Sequence, residues 1–123
     1  MRARMLQPSH QQRYQKFKQV LEELHQTVIA KDSESVALPE QFQAVKQLFL
    51  SEVANLSADD FAVDIMSRWQ SIQTEIYKQM RLLETDLMLL QASRSAATTQ
   101  TRTANVCDRI STLIRYCEAL LEQ

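Results

Sequence analysis

The sequence predicts an all-α protein, an antiparallel four-helix bundle with a long third helix. The 123-residue chain has no glycine and two prolines, Pro8 and Pro39, whereas hairpins and parallel sheets depend on Gly, Asn-Gly and Pro for their turns. Apolar side chains recur at spacings of three and four residues along four segments, which is the period of helices packed in a bundle. The length is that of one domain, residues 1–123, of which we expect 1–8 to be flexible.

The first two helices are predicted from their start signals. Ser9, with Gln12 three residues later, forms a capping-box pattern at the start of a first helix of about 22 residues. Residues 31–37 form a polar connector, and Leu38-Pro39 begins the second helix, because proline suits the first helical turn. So short a connector makes the two helices antiparallel. Their expected core residues are Tyr14, Phe17, Leu21, Leu24 and Val28, and then Phe42, Val45, Phe49, Val53 and Leu56.

The third and fourth helices are longer. Ser57, followed by the carboxylates of Asp59 and Asp60, marks the start of a helix that we expect to run from about 58 to 93. At about 50 Å this helix exceeds its neighbours, so it either overhangs them or bends near residue 64. Residues 93–101, rich in Ser, Ala and Thr, are expected to connect it to the fourth helix. The expected core residues are Ile65, Trp69, Ile72, Ile76, Met80, Leu83, Leu87 and Leu90, and then Val106, Ile110, Leu113, Cys117 and Leu120.

Composition and charge exclude several classes of function. Rossmann, P-loop and kinase phosphate sites need glycine where the backbone approaches the ligand, and this chain has none. A net charge of −1 and a pI near 6.1 argue against a dedicated nucleic-acid-binding protein. Residues 1–31 hold six basic and two acidic side chains, whereas 32–64 hold one and seven. This asymmetry either steers a charged partner or pairs the two segments within one molecule.

Cysteine usage and hydropathy predict a cytoplasmic protein. Cys107 and Cys117 are ten residues apart on one helix, about 15 Å, which is too far for a disulfide. Two free thiols suggest a reducing compartment, and Cys117 on the core face is expected to behave as a small buried hydrophobic side chain. No apolar run follows the basic N-terminus, and no segment approaches the ~18 uncharged apolar residues of a membrane span. We therefore expect no membrane partner.

The sequence offers little for catalysis or metal binding. Glu22 and His25 have the Glu-x-x-His spacing of di-iron bundles, but such a site needs two copies and the chain has one, so a solvated helical face is expected. Glu84 and Asp86 point in different directions and form no acid–base pair. Arg81 and Glu84 are expected to form an ordinary surface ion pair. We predict no catalytic, cofactor-binding or metal-binding residues and no enzymatic activity.

Some apolar residues fall outside the predicted core faces. A helical wheel places Leu82, Met88 and Leu89 away from the core face of the third helix, and Cys107, Ile114 and Leu121 beside that of the fourth. The candidate homodimer interface is Leu82, Met88, Leu89, Ile114 and Leu121. The alternative is a long central helix that contacts neighbours on two sides within one chain.

Two runs in the third helix, RWQSIQTEI at 68–76 and QMRLLETD at 79–86, resemble the cyanobacterial PatD family. LQASR at 90–94 and LIRYCE at 113–118 resemble it too, and the match extends from residue 68 to the end of the sequence, about half of the chain. The resemblance implies a small cytosolic regulator that limits heterocyst frequency in filamentous cyanobacteria. It also implies an association with the division protein FtsZ, whose filament assembly such proteins modulate. It implies no catalytic or cofactor residues.

Three hypotheses about function follow. The first is a regulator that binds a polymerising protein partner, with cationic contacts from the candidate residues Lys78, Arg81, Arg94 and Arg115. The second is a self-associating structural bundle with no outside partner. The third is a bundle that senses a metal or small ligand through Glu22 and His25.

Overall fold

The computed structural model describes residues 6–30 and 37–122, and in these ranges the chain is helical with no strand. This confirms the predicted all-α bundle. Its four α-helices are α1 (Pro8–Ile29), α2 (Ala37–Leu48), α3 (Val63–Gln91) and α4 (Ala96–Leu121). A π-helical turn, Phe49–Val53, continues α2, and a short 3-10 turn, Ala58–Asp60, precedes α3. None of the described helices is long and apolar enough to cross a membrane.

The helices run antiparallel in sequence order. Arg13 and Phe17 of α1 contact Glu52 and Phe49 of the turn that continues α2, so the contact positions descend in one helix as they ascend in the other. The same reversal relates α2 to α3 and α3 to α4, in the pairs Lys46–Glu84, Val53–Gln73, Arg102–Leu89 and Arg109–Asp86. Helix α4 packs along both α1 and α3, whereas α2 packs mainly on α1.

The predicted core is largely the observed core. The five expected residues of α1 and the five of α4 are all buried, as are Phe42, Val45, Phe49 and Val53. Along α3, Trp69, Ile76, Met80, Leu83 and Leu87 are buried, while Ile65, Ile72 and Leu90 are partly buried against them. Periodicity succeeds here because each helix presents one apolar face to a shared interior.

The start of α1 differs from the prediction. The helix begins at Pro8, after Gln7, and no side-chain hydrogen bond caps it. The predicted Ser9 cap is therefore wrong. Ser9 lies inside the helix, and Pro8 at the first helical position has no N–H that a capping side chain would need to accept. Of the expected flexible segment 1–8, residues 1–5 lie outside the described residues. Within the remainder, Leu6 is buried and its carbonyl accepts a hydrogen bond of 3.1 Å from Gln11 Nε2.

The segment before α3 is not one continuous helix, so a helix from 58 to 93 is wrong. Ser57 and Asp60 form a reciprocal capping box around the 3-10 turn, as the start signal predicted, but the turn ends at once. Phe61 then adopts an extended conformation and buries its ring in the core. Helix α3 starts at Val63, which is close to the alternative of a break near residue 64. With 29 residues it remains the longest helix, about 43 Å.

The connector between α3 and α4 is shorter than the predicted 93–101. Helix α4 starts at Ala96, where the Ser95 hydroxyl accepts a hydrogen bond from Thr98 N. Thr101 bonds instead to the Ala97 carbonyl one turn earlier, at 3.2 Å. Hydroxyl side chains in this segment thus form hydrogen bonds with backbone groups in the first turns of α4. A segment rich in Ser, Ala and Thr is therefore helical here, although the same composition is also typical of a loop.

Candidate partner-binding surface

The exposed side of α3 carries both charge and apolar surface. Positions 78, 81, 82, 85, 88 and 89 are three or four residues apart and so form one strip along the helix, which we call the outer face of α3. Its members are Lys78, Arg81, Leu82, Thr85, Met88 and Leu89. Met88 is 65% exposed and Leu89 44% exposed, the largest exposures of apolar side chains in the second half of α3. The face points away from α2 and α4, which contact the two flanks of the helix.

The contacts of α3 with α2 and α4 lie on its two sides and leave the outer face uncovered by the described residues. On one side Glu84 Oε2 accepts a hydrogen bond of 3.0 Å from Lys46 Nζ of α2. The predicted Arg81–Glu84 pair is therefore wrong, because Glu84 turns towards α2 and Arg81 points outward. On the other side Arg109 of α4 donates to Asp86 Oδ2 and Gln79 Oε1, both at 3.0 Å.

The four predicted partner-binding cations are all exposed, but they do not form one cluster. Lys78 and Arg81 lie one turn apart on the outer face of α3, and neither forms an ion pair with another described residue. Arg94 lies in the turn between α3 and α4. Arg115 lies on α4 and donates to Thr112 of its own helix at 3.3 Å.

The five candidate dimer residues also divide into two groups. Leu82, Met88 and Leu89 lie on the outer face of α3, the strip that also carries Lys78 and Arg81. Ile114 and Leu121 are partly buried against the core of their own chain, as is Cys107 beside them. Leu82 is half-buried as well, so Met88 and Leu89 are the two candidates that leave the most apolar area for a partner.

The cysteines are poor nucleophiles. Cys117 is fully buried among core residues, as predicted, and burial raises the pKa of its thiol to about 12. Cys107 is half-buried, and burial together with the nearby Asp108 carboxylate raises the pKa of its thiol as well. Since the thiolate is the reactive form, neither site is activated for covalent chemistry.

No metal centre is evident in the part of the chain that the structure describes. No group of three or more His, Cys, Asp and Glu side chains lies close enough there to hold an ion. On α1, Glu22 and Glu23 are exposed and His25 is half-buried. The Glu22–His25 pair therefore belongs to no such group among the described residues. This arrangement gives the metal-sensing hypothesis no support.

An open polar depression of about 310 Å³ lies between α3 and α4. Asp86, Asn105, Asp108, Arg109 and Thr112 line it. The Arg109 guanidinium, the one cation in this lining, is already held by Asp86 and Gln79. Its shape and its chemistry offer no enclosed ligand site.

Two buried polar residues were missed by the sequence analysis. Gln73 is 6% exposed and His10 is 7% exposed. Gln73 lies four residues after Trp69, and His10 four residues before Tyr14, so each continues a core face that the sequence had identified. Because both side chains are polar, a search for apolar periodicity does not find them, although their positions in the helical repeat predict burial.

No protein-family profile, curated protein or solved structure matches the chain.

Proposed function

We propose that this protein is a non-catalytic regulator that binds a protein partner through the outer face of α3. The observation that carries the proposal is one strip of helix that combines exposed Met88 and Leu89 with Lys78 and Arg81, two cations that form no ion pair among the described residues. Exposed apolar side chains and cations on one helical strip suit an interface in which burial supplies affinity and charge supplies orientation and association rate.

The partner that we propose is FtsZ, with modulation of its assembly and thereby a limit on heterocyst frequency as the biological role. The support is the resemblance of residues 68–76, 79–86, 90–94 and 113–118 to PatD proteins. Three members of the outer face of α3, Arg81, Leu82 and Thr85, lie in the second of these runs. We propose a cytoplasmic location, in accord with the two free thiols.

The test is co-sedimentation with GTP-assembled FtsZ from the same organism, across a salt series. We expect saturable co-pelleting that weakens as salt rises, because exposed charges are screened. Arg81→Glu should weaken binding several-fold. Arg68→Glu is the matched control, since Arg68 is an exposed arginine on the same helix about 20 Å towards its start. Absence of co-pelleting, with FtsZ assembly unchanged, would reject FtsZ as the partner.

The second candidate function is self-association of a structural bundle, which the exposure of Met88 and Leu89 also favours. Sedimentation velocity over a concentration series distinguishes the two. A dimer that dissociates in Met88→Asp and does not pellet with FtsZ would favour self-association. A monomer that pellets with FtsZ would favour the regulator.

A further inference from the structure

Three aromatic rings lie one against the next at one end of the bundle, in a row that we call the ring stack. The imidazole of His10, in the first turn of α1, lies 5.3 Å from the ring of Phe61 and is tilted by 38° to it. Phe61 in turn stacks on Trp69 of α3, with ring centroids 4.1 Å apart and an interplanar angle of 23°. All three side chains are at least nine-tenths buried. The stack joins the start of α1, the segment after the 3-10 turn and the start of α3.

His10 has an unusual place in this stack. Its Nδ1 is buried and has no hydrogen-bond partner among the described residues. A buried neutral imidazole tolerates one unpaired nitrogen, but protonation would place a full charge and a second N–H in the same apolar position. The site is therefore built for the neutral ring.

The charged groups around His10 do not compensate for protonation. Arg13, one turn along α1, opposes a second positive charge, and so does the positive end of the α1 dipole. Asp60, on the 3-10 turn, attracts the charge, but its carboxylate already accepts a hydrogen bond of 2.8 Å from Ser57 N. Burial is the largest of these effects and lowers the pKa of His10 below its ordinary value of 6.5.

We propose that His10 is a pH-sensitive contact, whose protonation releases the His10–Phe61–Trp69 stack and loosens this end of the bundle while the helices persist. The imidazolium moves towards solvent, where water satisfies both N–H groups, and Phe61 loses the ring that covers it. Trp69, beneath Phe61, then changes environment. This proposal is independent of the FtsZ proposal, since the outer face of α3 lies in the other half of that helix.

The protein contains its own reporter. Trp69 is the single tryptophan, and His10 and His25 are the two histidines. The experiment follows Trp69 fluorescence and the His10 ring signals by NMR from pH 8 to 4.5, with far-UV circular dichroism to monitor helicity. Three proteins are compared: the wild type, His10→Phe and His25→Asn. His25 lies fifteen residues along α1, about 22 Å away, and serves as the matched control.

We expect a one-proton transition in Trp69 emission whose midpoint lies below pH 6.5 and coincides with that of the His10 ring, with helicity retained. The transition should be lost in His10→Phe, whose ring is neutral at every pH, and kept in His25→Asn. A transition that persists in His10→Phe would overturn the proposal. So would titration of His10 with no change in Trp69 emission, or loss of helicity at the same midpoint. The last two readouts need the wild type alone, so they remain decisive if His10→Phe does not fold.

Discussion

Trp69 Nε1 donates a hydrogen bond of 2.9 Å to the hydroxyl of Tyr14, and that hydroxyl donates in turn to Gln73 Oε1 at 2.7 Å. Gln73 Nε2 completes the series by donating to the Val53 carbonyl at 2.9 Å. The bonds run in one direction through the core and join α1, α3 and the π-helical turn. Burial raises the pKa of the Tyr14 hydroxyl well above its usual range, so it stays protonated and remains a donor at neutral pH.

Tyr14→Phe should lower the free energy of unfolding by about 1–3 kcal/mol, the usual cost of leaving buried polar groups unpaired. The change keeps the ring but removes the only partner that Trp69 Nε1 has among the described residues, and Gln73 Oε1 loses its donor. Urea unfolding measures the effect. Tyr116→Phe is the matched control, because Tyr116 is partly buried on α4 and lies outside this series. Equal losses in the two variants would contradict this role of the hydroxyl.

Gln73→Leu should also destabilise the fold, and its effect should not add to that of Tyr14→Phe. The two side chains share a hydrogen bond, so the double variant loses that bond once. We expect an interaction free energy of about 0.5–3 kcal/mol from a double-mutant cycle measured by urea unfolding. An additive result would show that the two residues act separately.

The ion pairs should differ in their contributions. Arg109→Ala should cost about 1–2 kcal/mol, because it removes two hydrogen bonds and leaves the Asp86 carboxylate, whose side chain is 16% exposed, without its cation. Lys16→Ala should cost less than about 0.5 kcal/mol, since that lysine is 60% exposed and lies 3.6 Å from Glu52. Thermal unfolding of the two variants compares them, and a larger loss in Lys16→Ala would reverse the expected order.

Stability should fall as the pH drops below 6.5. His10 has a lowered pKa when folded and an ordinary one when unfolded, so between these two values the unfolded chain binds more protons. The folded state thus loses stability from about pH 6.5 down to the folded pKa, below which this effect is complete. Urea midpoints in wild type and His10→Phe should diverge over this interval and run parallel above pH 7.5. Parallel midpoints throughout would contradict the linkage.

Thiol labelling should separate the two cysteines. A disulfide reagent should modify Cys107 slowly in the native protein, because its thiol is half-buried with a raised pKa. Cys117 should react at the rate of unfolding, since it is fully buried. The Cys107→Ala variant isolates the second phase. Labelling of Cys117 that is independent of urea would show that the native interior admits the reagent.

The sequence predicted those parts of the fold that depend on periodicity. The core faces of α1 and α4 follow from apolar spacing alone, because a helix buries residues on one side whatever its neighbours are. The errors lie at helix ends. Ser9 and residues 93–101 carry polar side chains that suit either a cap, a loop or an exposed helical turn, and the choice depends on tertiary contacts.

The candidate surface was predictable only in part. Exposure of Lys78, Arg81 and Met88 follows from their helical positions, and so does their proximity to one another. The partial burial of Ile114 and Leu121 depends on how closely α4 packs against the other helices, which spacing does not reveal. Similarly, spacing pairs Glu84 with Arg81 of its own helix, whereas its observed partner, Lys46, lies on α2. Contacts between helices cannot be inferred from spacing within one helix.

The π-helical turn Phe49–Val53 contains one more residue than the corresponding turn of a regular α-helix. Ala54 N bonds to the Phe49 carbonyl five residues back, so the chain from Val53 onward is rotated relative to α2. The Val53 carbonyl, at the end of this turn, accepts the hydrogen bond from Gln73 Nε2. Deleting the exposed Leu50 would lengthen α2 as a regular helix yet turn this carbonyl away from its donor. We therefore expect this segment to resist single-residue insertions and deletions as firmly as the core does.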